Sequence, residues 1–278
     1  MANRILKHAQ NMPSWAALSL AINGVLFLTL IGLWQQKSDS VPQVRPQAGV
    51  AYAARSNAPP QLAHLGDRQR LQYEQWVKLL EQEMDAMAAK HPDHLTILLG
   101  DSLSLWFPSQ LLPGRRVWMN QGISGEKTDG LRQRLYLLDR AEVDTIFLMI
   151  GINDLIWGQS DRQLLANYRD ILEYLAQRHP DTDIVIQSIL PHGAETATWE
   201  GRERLLALPN QRIQDVNRAL ANLAKEYEAH YLELYPIFSD GEGRLRADLT
   251  TDGLHLNQEG YLVWRAAIAL YSQLQLQP

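Results

Sequence analysis

An α/β fold, in which helices cover both faces of a parallel sheet, is predicted for most of this 278-residue chain. Two observations predict it. Short apolar runs alternate along the sequence with longer segments in which apolar residues recur every three or four positions. The apolar runs are continuous rather than alternating, as expected of parallel strands buried on both faces. This alternation indicates successive strand–helix–strand units, and a hydrophobic content of 46% is ample for a sizeable core.

Each element is predicted from its own pattern. The apolar runs predict strands at 96–99, 117–119, 145–150, 183–186 and 231–234. The three- and four-residue periodicity predicts helices at 73–87, 126–140, 162–178, 210–228 and 258–273. Ligands of such sheets bind beyond the carboxyl ends of the strands. The residues that directly follow each strand are therefore the candidates for function.

An uncharged and largely apolar stretch, residues 15–34, stands apart near the amino end. About 20 residues are what a helix needs to cross the hydrocarbon core of a bilayer. Trp15 and Trp34 lie at its two ends, where amphipathic rings favour the membrane interface. Basic residues before the stretch favour a cytoplasmic amino terminus, with the rest of the chain facing the periplasm or the cell exterior. A cleaved signal peptide is the alternative, although no small-residue cleavage site follows the stretch directly.

Three regions follow from these patterns: a membrane anchor or uncleaved signal at 1–36, a flexible linker at 37–66 and a folded domain at 67–278. The linker has four prolines among small and polar residues and no apolar periodicity. A net charge of −5 gives no basic field, so a nucleic-acid partner is not expected. The absence of cysteine excludes disulfides and thiolate chemistry. The histidines show no metal-ligand spacing, so no metal or other cofactor is predicted, and the oligomeric state is left open.

Four segments of the predicted domain carry residues suited to acyl transfer: 100–103, 120–125, 151–154 and 252–255. Ser102 follows the first strand and is a candidate nucleophile. Gly122 would let the backbone approach a ligand closely, and Asn153 can donate a side-chain N–H. Asp252 and His255 are spaced so that a carboxylate can orient an imidazole base. Each segment alone is weakly specific, but together they supply nucleophile, base, orienting acid and oxyanion donors.

In this order the four segments resemble the signature blocks of the SGNH, or GDSL-type, serine hydrolases, over about residues 95–265. The resemblance implies a flavodoxin-like three-layer α/β/α sandwich with a five-stranded parallel sheet. It also implies Ser102 as nucleophile, His255 as base and Asp252 as its orienting partner. The implied oxyanion hole consists of the N–H of Ser102, the N–H of Gly122 and the side-chain amide of Asn153.

The resemblance implies hydrolysis of a carboxylic ester, such as a lysophospholipid, a short acyl ester or an O-acetylated glycan. One alternative is an O-acyltransferase that uses the same triad to acylate a hydroxyl of an envelope polysaccharide. A binding module on an inactive hydrolase fold would have lost one of the catalytic roles, and all of them are present.

Rival assignments exist for the nucleophile and the orienting acid. Ser124 is flanked by glycines, but the chain has no G-x-S-x-G elbow that would favour it. Asp154 could replace Asp252, although Asp252 is much closer to His255 in sequence.

Several residues near the four segments are candidates for the substrate pocket. Trp106, Trp157 and His192 lie close to the motifs or to a strand end; the alternatives are core packing for the tryptophans and a solvated loop for the histidine. The segment 193–209 is long for a connection after a strand, and we expect it to form a lid or a wall of the pocket.

Overall fold

The computed structural model describes residues 72–114 and 116–276. The anchor predicted at 1–36, with its apolar stretch 15–34, and the linker predicted at 37–66 lie outside the described residues. Among the helices in the described ranges, none is long and apolar enough to span a bilayer.

Five strands form one fully parallel sheet, as predicted. They are β1 (Leu95–Gly100), β2 (Val117–Gly122), β3 (Thr145–Met149), β4 (Asp183–Gln187) and β5 (His230–Leu232). Their order in the sheet is β2-β1-β3-β4-β5. The strand order reverses at β1, which lies between β2 and β3. A crevice opens at such a reversal, beyond the carboxyl ends of the strands.

Helices and short turns connect the strands. The α-helices are α1 (Tyr73–Ala88), α2 (Ser102–Leu105), α3 (Thr128–Gln133), α4 (Ile152–Ile156), α5 (Asp161–Arg178), α6 (Arg202–Leu206), α7 (Asn210–Glu226), α8 (Tyr235–Phe238) and α9 (Gln258–Gln275). Single 3₁₀ turns occur at Ser109–Leu111, Ala194–Thr196 and Ala247–Leu249, and a longer one at Leu135–Arg140.

The helix predicted over 126–140 is divided in the structure. α3 begins only at Thr128, because the Asp154 carboxylate accepts from the Thr128 N–H and hydroxyl and so caps the helix from another element. It ends at Gln133. The guanidinium of the next residue, Arg134, turns back to form a buried ion pair with Glu126 and to donate to the Gln121 carbonyl. The remainder, Leu135–Arg140, is a 3₁₀ helix.

Alternate strand residues pack on opposite faces of the sheet, because successive side chains of a strand point to opposite sides. Ile97 and Ile146 belong to a core that α1, α5 and α7 cover. Leu98 and Phe147 belong to a second core that contains Trp264 of α9. The sheet is thus the middle layer of three, as expected.

Candidate active site

Ser102 lies at a sharp turn between β1 and α2. Gly100 is the last residue of β1. A Cβ on this residue would lie 2.1 Å from the Met149 carbonyl oxygen, so only glycine fits. Asp101 then caps α2 by accepting from the Leu103 N–H at 3.0 Å. Ser102 is the first residue of that helix and is 6% exposed. The local sequence therefore presents the Ser102 hydroxyl at the carboxyl edge of the sheet.

Asp252 holds His255 in one orientation. Its Oδ2 lies 2.8 Å from Nδ1 of the imidazole, and its Oδ1 accepts from the backbone N–H groups of Leu254 and His255. Partial burial acts to raise the pKa of Asp252, but these hydrogen bonds outweigh it and hold that pKa below its usual value. A carboxylate that accepts from Nδ1–H leaves Nε2 of the imidazole free to accept a proton.

The imidazole lies beside the helix that carries Ser102. Trp106 follows the end of α2, and its ring centroid is 4.3 Å from that of His255. The N–H of Trp106 donates to the Ser102 carbonyl at 3.0 Å, so the tryptophan lies one helical turn from the serine. Within the described ranges no hydrogen bond joins the Ser102 hydroxyl to His255; such bonds are commonly long in free enzymes and tighten with substrate.

Asn153 supplies a side-chain amide at the end of the neighbouring strand β3. Gly151 turns the chain there with a φ of 124°, a conformation that other residues rarely adopt. Nδ2 of Asn153 donates to the Glu126 carbonyl at 3.1 Å, which fixes the amide in place. An amide nitrogen carries two hydrogens, so one N–H is left for a ligand.

Gly122 lies at the end of β2 with its N–H already engaged. That N–H donates to Oδ1 of Asn120 at 3.0 Å. A Cβ on Gly122 would stand 2.4 Å from the backbone nitrogen of Leu105, so this glycine is needed for close packing against α2. In this geometry the amide predicted for the oxyanion hole is not available to a ligand.

Gly125, which the sequence reasoning missed, offers the amide that Gly122 does not. It is exposed, has a φ of 74° and has open space where a Cβ would be. In the described part of the chain its N–H donates to no protein acceptor. It directly precedes Glu126, whose carbonyl holds Asn153. The available signal was the second glycine of the segment 120–125.

Asp154 does not orient the histidine. Its carboxylate accepts from Thr128, and Asp252 alone of the two binds His255. The rival assignment for the orienting acid is therefore wrong.

Buried carboxyl groups lie beneath the site. Burial raises the pKa of Asp101 to about 7, and the nearby Glu126 and Asp154 add to this. Burial also raises the pKa of Glu126, against the opposing effect of Arg134. No three His, Asp or Glu side chains converge as metal ligands in residues 72–114 and 116–276.

His192 does not line the pocket. It is 1% exposed, Nε2 lies 2.7 Å from the Leu208 carbonyl and Nδ1 accepts from the Ala194 N–H. Both ring nitrogens are thus used, and burial lowers the pKa of the imidazole. His192 instead braces the two ends of the connection that follows β4.

That connection, residues 193–209, forms a wall against the loop of the base. The backbone N–H groups of Thr198 and Trp199 donate to the Asp252 carbonyl at 2.8 and 2.9 Å. Gly193 donates to the Gly253 carbonyl at 2.7 Å. The wall includes α6, a helix that the sequence reasoning did not predict, and it supports the expected role of this segment.

The comparisons with known proteins agree with this geometry. The family described as GDSL-like Lipase/Acylhydrolase matches residues 100–263, which include all four segments. The human platelet-activating factor acetylhydrolase IB subunit alpha1 is 26% identical over 73% of this chain and 85% of its own length. The subunit from Pongo abelii is 27% identical over the same shares.

Solved structures show the same fold. A protein described as a platelet activating factor from Streptococcus pneumonia has a TM-score of 0.64 and 25% identity, covering 77% of this chain and 99% of its own. A GDSL-like lipase from Bacteroides thetaiotaomicron has a TM-score of 0.61 and 19% identity, covering 73% and 98%. The family model matches more than half of this chain. The chain therefore belongs to the GDSL-like lipase/acylhydrolase family and is an enzyme that hydrolyses esters.

Proposed function

We propose that this protein is a serine esterase that hydrolyses carboxylic esters through an acyl-Ser102 intermediate. The observation that carries the proposal is the Asp252–His255 pair, held with its ring against Trp106, one turn from Ser102. This arrangement supplies a base with a fixed tautomer beside a hydroxyl at the edge of the sheet.

The reaction has two stages. Nε2 of His255 takes the Ser102 proton while the oxygen attacks the ester carbonyl carbon, and the same proton then passes to the leaving alcohol oxygen. The acyl group stays on Ser102 until a water molecule, deprotonated by His255, attacks it and releases the acid and the serine. Asp252 stabilises the imidazolium formed in each stage without taking its proton.

The negative charge on the former carbonyl oxygen needs preset donors. We propose the second N–H of Asn153 and the N–H of Gly125 for this role, together with the N–H of Ser102. Gly125 replaces Gly122 because the Gly122 N–H is engaged by Asn120. A single donor of this kind is worth about 10²–10³ in rate.

The substrate class follows from the family only in outline. Lysophospholipids, short acyl esters and O-acetylated glycans all remain candidates, because a triad does not fix the shape of a pocket. The acyltransferase alternative is not favoured, since the family and the relatives are named for hydrolysis.

We also propose that residues 15–34 anchor the enzyme in a membrane and that the catalytic domain faces the periplasm or the cell exterior. The support is the uncharged apolar length of this stretch, with a tryptophan at each end.

Replacement of Ser102 by alanine tests the mechanism. On 4-nitrophenyl esters from acetate to palmitate we expect Ser102→Ala and His255→Ala each to lower kcat by roughly 10⁴–10⁶. The double variant should lose little more, since residues that act as one unit are not additive. Circular dichroism and thermal unfolding show whether each variant is folded. Additive losses, or a folded Ser102→Ala variant with full activity, contradict the proposal.

A further inference from the structure

Two cations lie near an exposed tryptophan beside the site. Trp157 is 51% exposed, the Arg204 guanidinium lies 4.0 Å from its ring centroid and the Lys127 ammonium lies 5.8 Å from it. We call Lys127, Trp157 and Arg204 the rim cluster. An exposed tryptophan close to two cations is not explained by core packing.

Each member of the rim cluster is attached to an element of the site. Trp157 follows α4, and its N–H donates to the Asn153 carbonyl at 3.0 Å. Lys127 follows Glu126, whose carbonyl holds the Asn153 amide. Arg204 is in α6, within the wall whose backbone binds Asp252. The cluster therefore joins the donor side of the site to the side of the base.

No ion pair neutralises the positive charges of the cluster among the residues that the structure describes. In the described ranges neither Lys127 nor Arg204 has a carboxylate within ion-pair distance. Glu203, adjacent to Arg204, pairs with Arg202. Asp154 feels the charge of Lys127, but its oxygens accept from Thr128 beneath the surface.

The stacking leaves the hydrogen-bonding groups of Arg204 usable. A guanidinium that lies on an aromatic ring keeps its N–H groups in its own plane, where they can bind a carboxylate or phosphate in a bidentate way. Arg204 and Lys127 both lie near the indole ring, so a cationic ligand there would meet two like charges. The chemistry thus suits an anion and opposes a quaternary ammonium group.

We propose that the rim cluster binds a negatively charged group, a phosphate or a carboxylate, on the alcohol portion of the ester substrate. This inference rests on the proposed function. The alcohol portion is assigned because His255 protonates the leaving oxygen, and the wall that carries Arg204 is bound to the loop of His255. The enzyme is therefore selective for anionic esters within its general chemistry.

Acetate esters of one phenol, which differ only in their para substituent, test the inference on the full chain. The substituents are carboxylate, phosphate, neutral carboxamide and trimethylammonium. Comparison of the first two esters shows which of the two anionic groups the cluster prefers. Arg204→Gln and Lys127→Gln should each raise KM for at least one anionic ester about tenfold, the usual worth of one charge-assisted hydrogen bond, with kcat unchanged. For the carboxamide ester, KM and kcat should each change by less than about twofold, because a neutral group makes no charge-assisted hydrogen bond.

Two further variants sharpen the test. Arg204→Glu should reverse the preference and favour the trimethylammonium ester. Arg265→Gln, which removes the same charge from the exposed face of α9, is the matched control and should change no constant. The selectivity for anionic esters should also decline with added salt, because exposed charges are screened. Equal losses on the anionic and neutral esters in Arg204→Gln would overturn the inference.

Binding to the Ser102→Ala variant separates this inference from the proposed mechanism. Calorimetry should show that 4-hydroxyphenyl phosphate or 4-hydroxybenzoate binds more tightly than 4-hydroxybenzamide, and that Arg204→Gln removes the difference. If neutral esters are hydrolysed but this difference is absent, the rim cluster has no such role and the esterase proposal stands. If the difference is present but Ser102→Ala leaves hydrolysis intact, the mechanism fails and the anion site stands.

Discussion

At the scale of single residues, the site depends on how each polar group is used. One carboxylate oxygen of Asp252 binds the His255 ring, and the other accepts from two backbone N–H groups. Asn153 uses one amide hydrogen to fix itself and keeps the second. The N–H of Gly122 and both ring nitrogens of His192 already have partners. A residue with a spare donor or acceptor can act on a substrate, and a fully bonded one cannot.

Asp101 gives a prediction on stability at this scale. Burial raises its pKa to about 7, so the folded protein binds more protons than the unfolded chain between about pH 4 and 7. Stability is therefore lost as the pH rises through this window. Asp101→Asn keeps an oxygen for the Leu103 N–H and buries no charge. In urea unfolding we expect the free energy of unfolding of the variant to rise relative to that of the parent from about pH 4 to 7. Above about pH 7 the variant should be roughly 2–4 kcal/mol more stable than the parent.

The matched control for this prediction is Asp93→Asn, which changes an exposed carboxylate. Its stability should follow that of the parent at every pH. An Asp101→Asn variant whose stability shows the same pH slope as the parent would mean that Asp101 ionises normally in the folded state.

At the scale of elements, the connection 193–209 is hydrogen-bonded to the loop 252–255. The length of the connection predicted a wall, but its hydrogen bonds to Asp252 and Gly253 appear only in the fold. Gly253 has a φ of 86°, and a Cβ there would stand 2.6 Å from Ala197. The loop 252–255 therefore packs so closely against the wall that no side chain fits at Gly253.

Gly253→Ala tests this fit. We expect it to lower the free energy of unfolding by about 1–3 kcal/mol through the strained backbone. The clash with Ala197 should also displace His255 and lower kcat by about tenfold or more. Gly114→Ala is the control, since Gly114 has a φ of 83° and no atom within 4 Å of an added Cβ. It should show backbone strain with unchanged kcat, and an equal kcat loss in both variants would contradict the fit.

At the scale of the whole molecule, strand order brings distant segments together. β1 lies between β2 and β3, so Ser102, Gly125 and Asn153 follow three adjacent strands. The base arrives from near the carboxyl end, where the Tyr261 hydroxyl of α9 donates to the Leu103 carbonyl of α2 at 3.1 Å. The last helix thus fixes the loop of His255 beside the nucleophile.

The proposed anchor is tested on the full chain in a bacterial host. With residues 15–34 in a bilayer, the protein should sediment with membranes, resist extraction by alkaline carbonate and dissolve in detergent. Deletion of residues 1–36 should release it without loss of esterase activity. Mass spectrometry distinguishes the alternative, because a cleaved signal peptide would leave a soluble product that lacks its amino end.

The layer architecture and the Asp252–His255 pair could be predicted from the amino-acid sequence. Continuous apolar runs located all five strands, because strands buried on both faces carry apolar residues throughout. The three- and four-residue periodicity located the long helices, because one buried helix face imposes that repeat. The Asp252–His255 spacing predicted their hydrogen bond, since three residues of turn fix that distance locally. The helix at 126–140 was only partly predicted, because its start and its end are set by Asp154 and Glu126 through contacts made only in the fold.

Tertiary structure alone decided which groups are free to act. Gly122, which ends β2, and Gly125 look equivalent in sequence, yet Asn120 engages the amide of Gly122 and leaves that of Gly125. His192 and Trp157 were both candidates for the pocket, and the fold buried the first and left the second exposed near two cations. The physical reason is that a motif specifies which donors, acceptors and charges exist, whereas the packing of distant segments determines which of them already have partners.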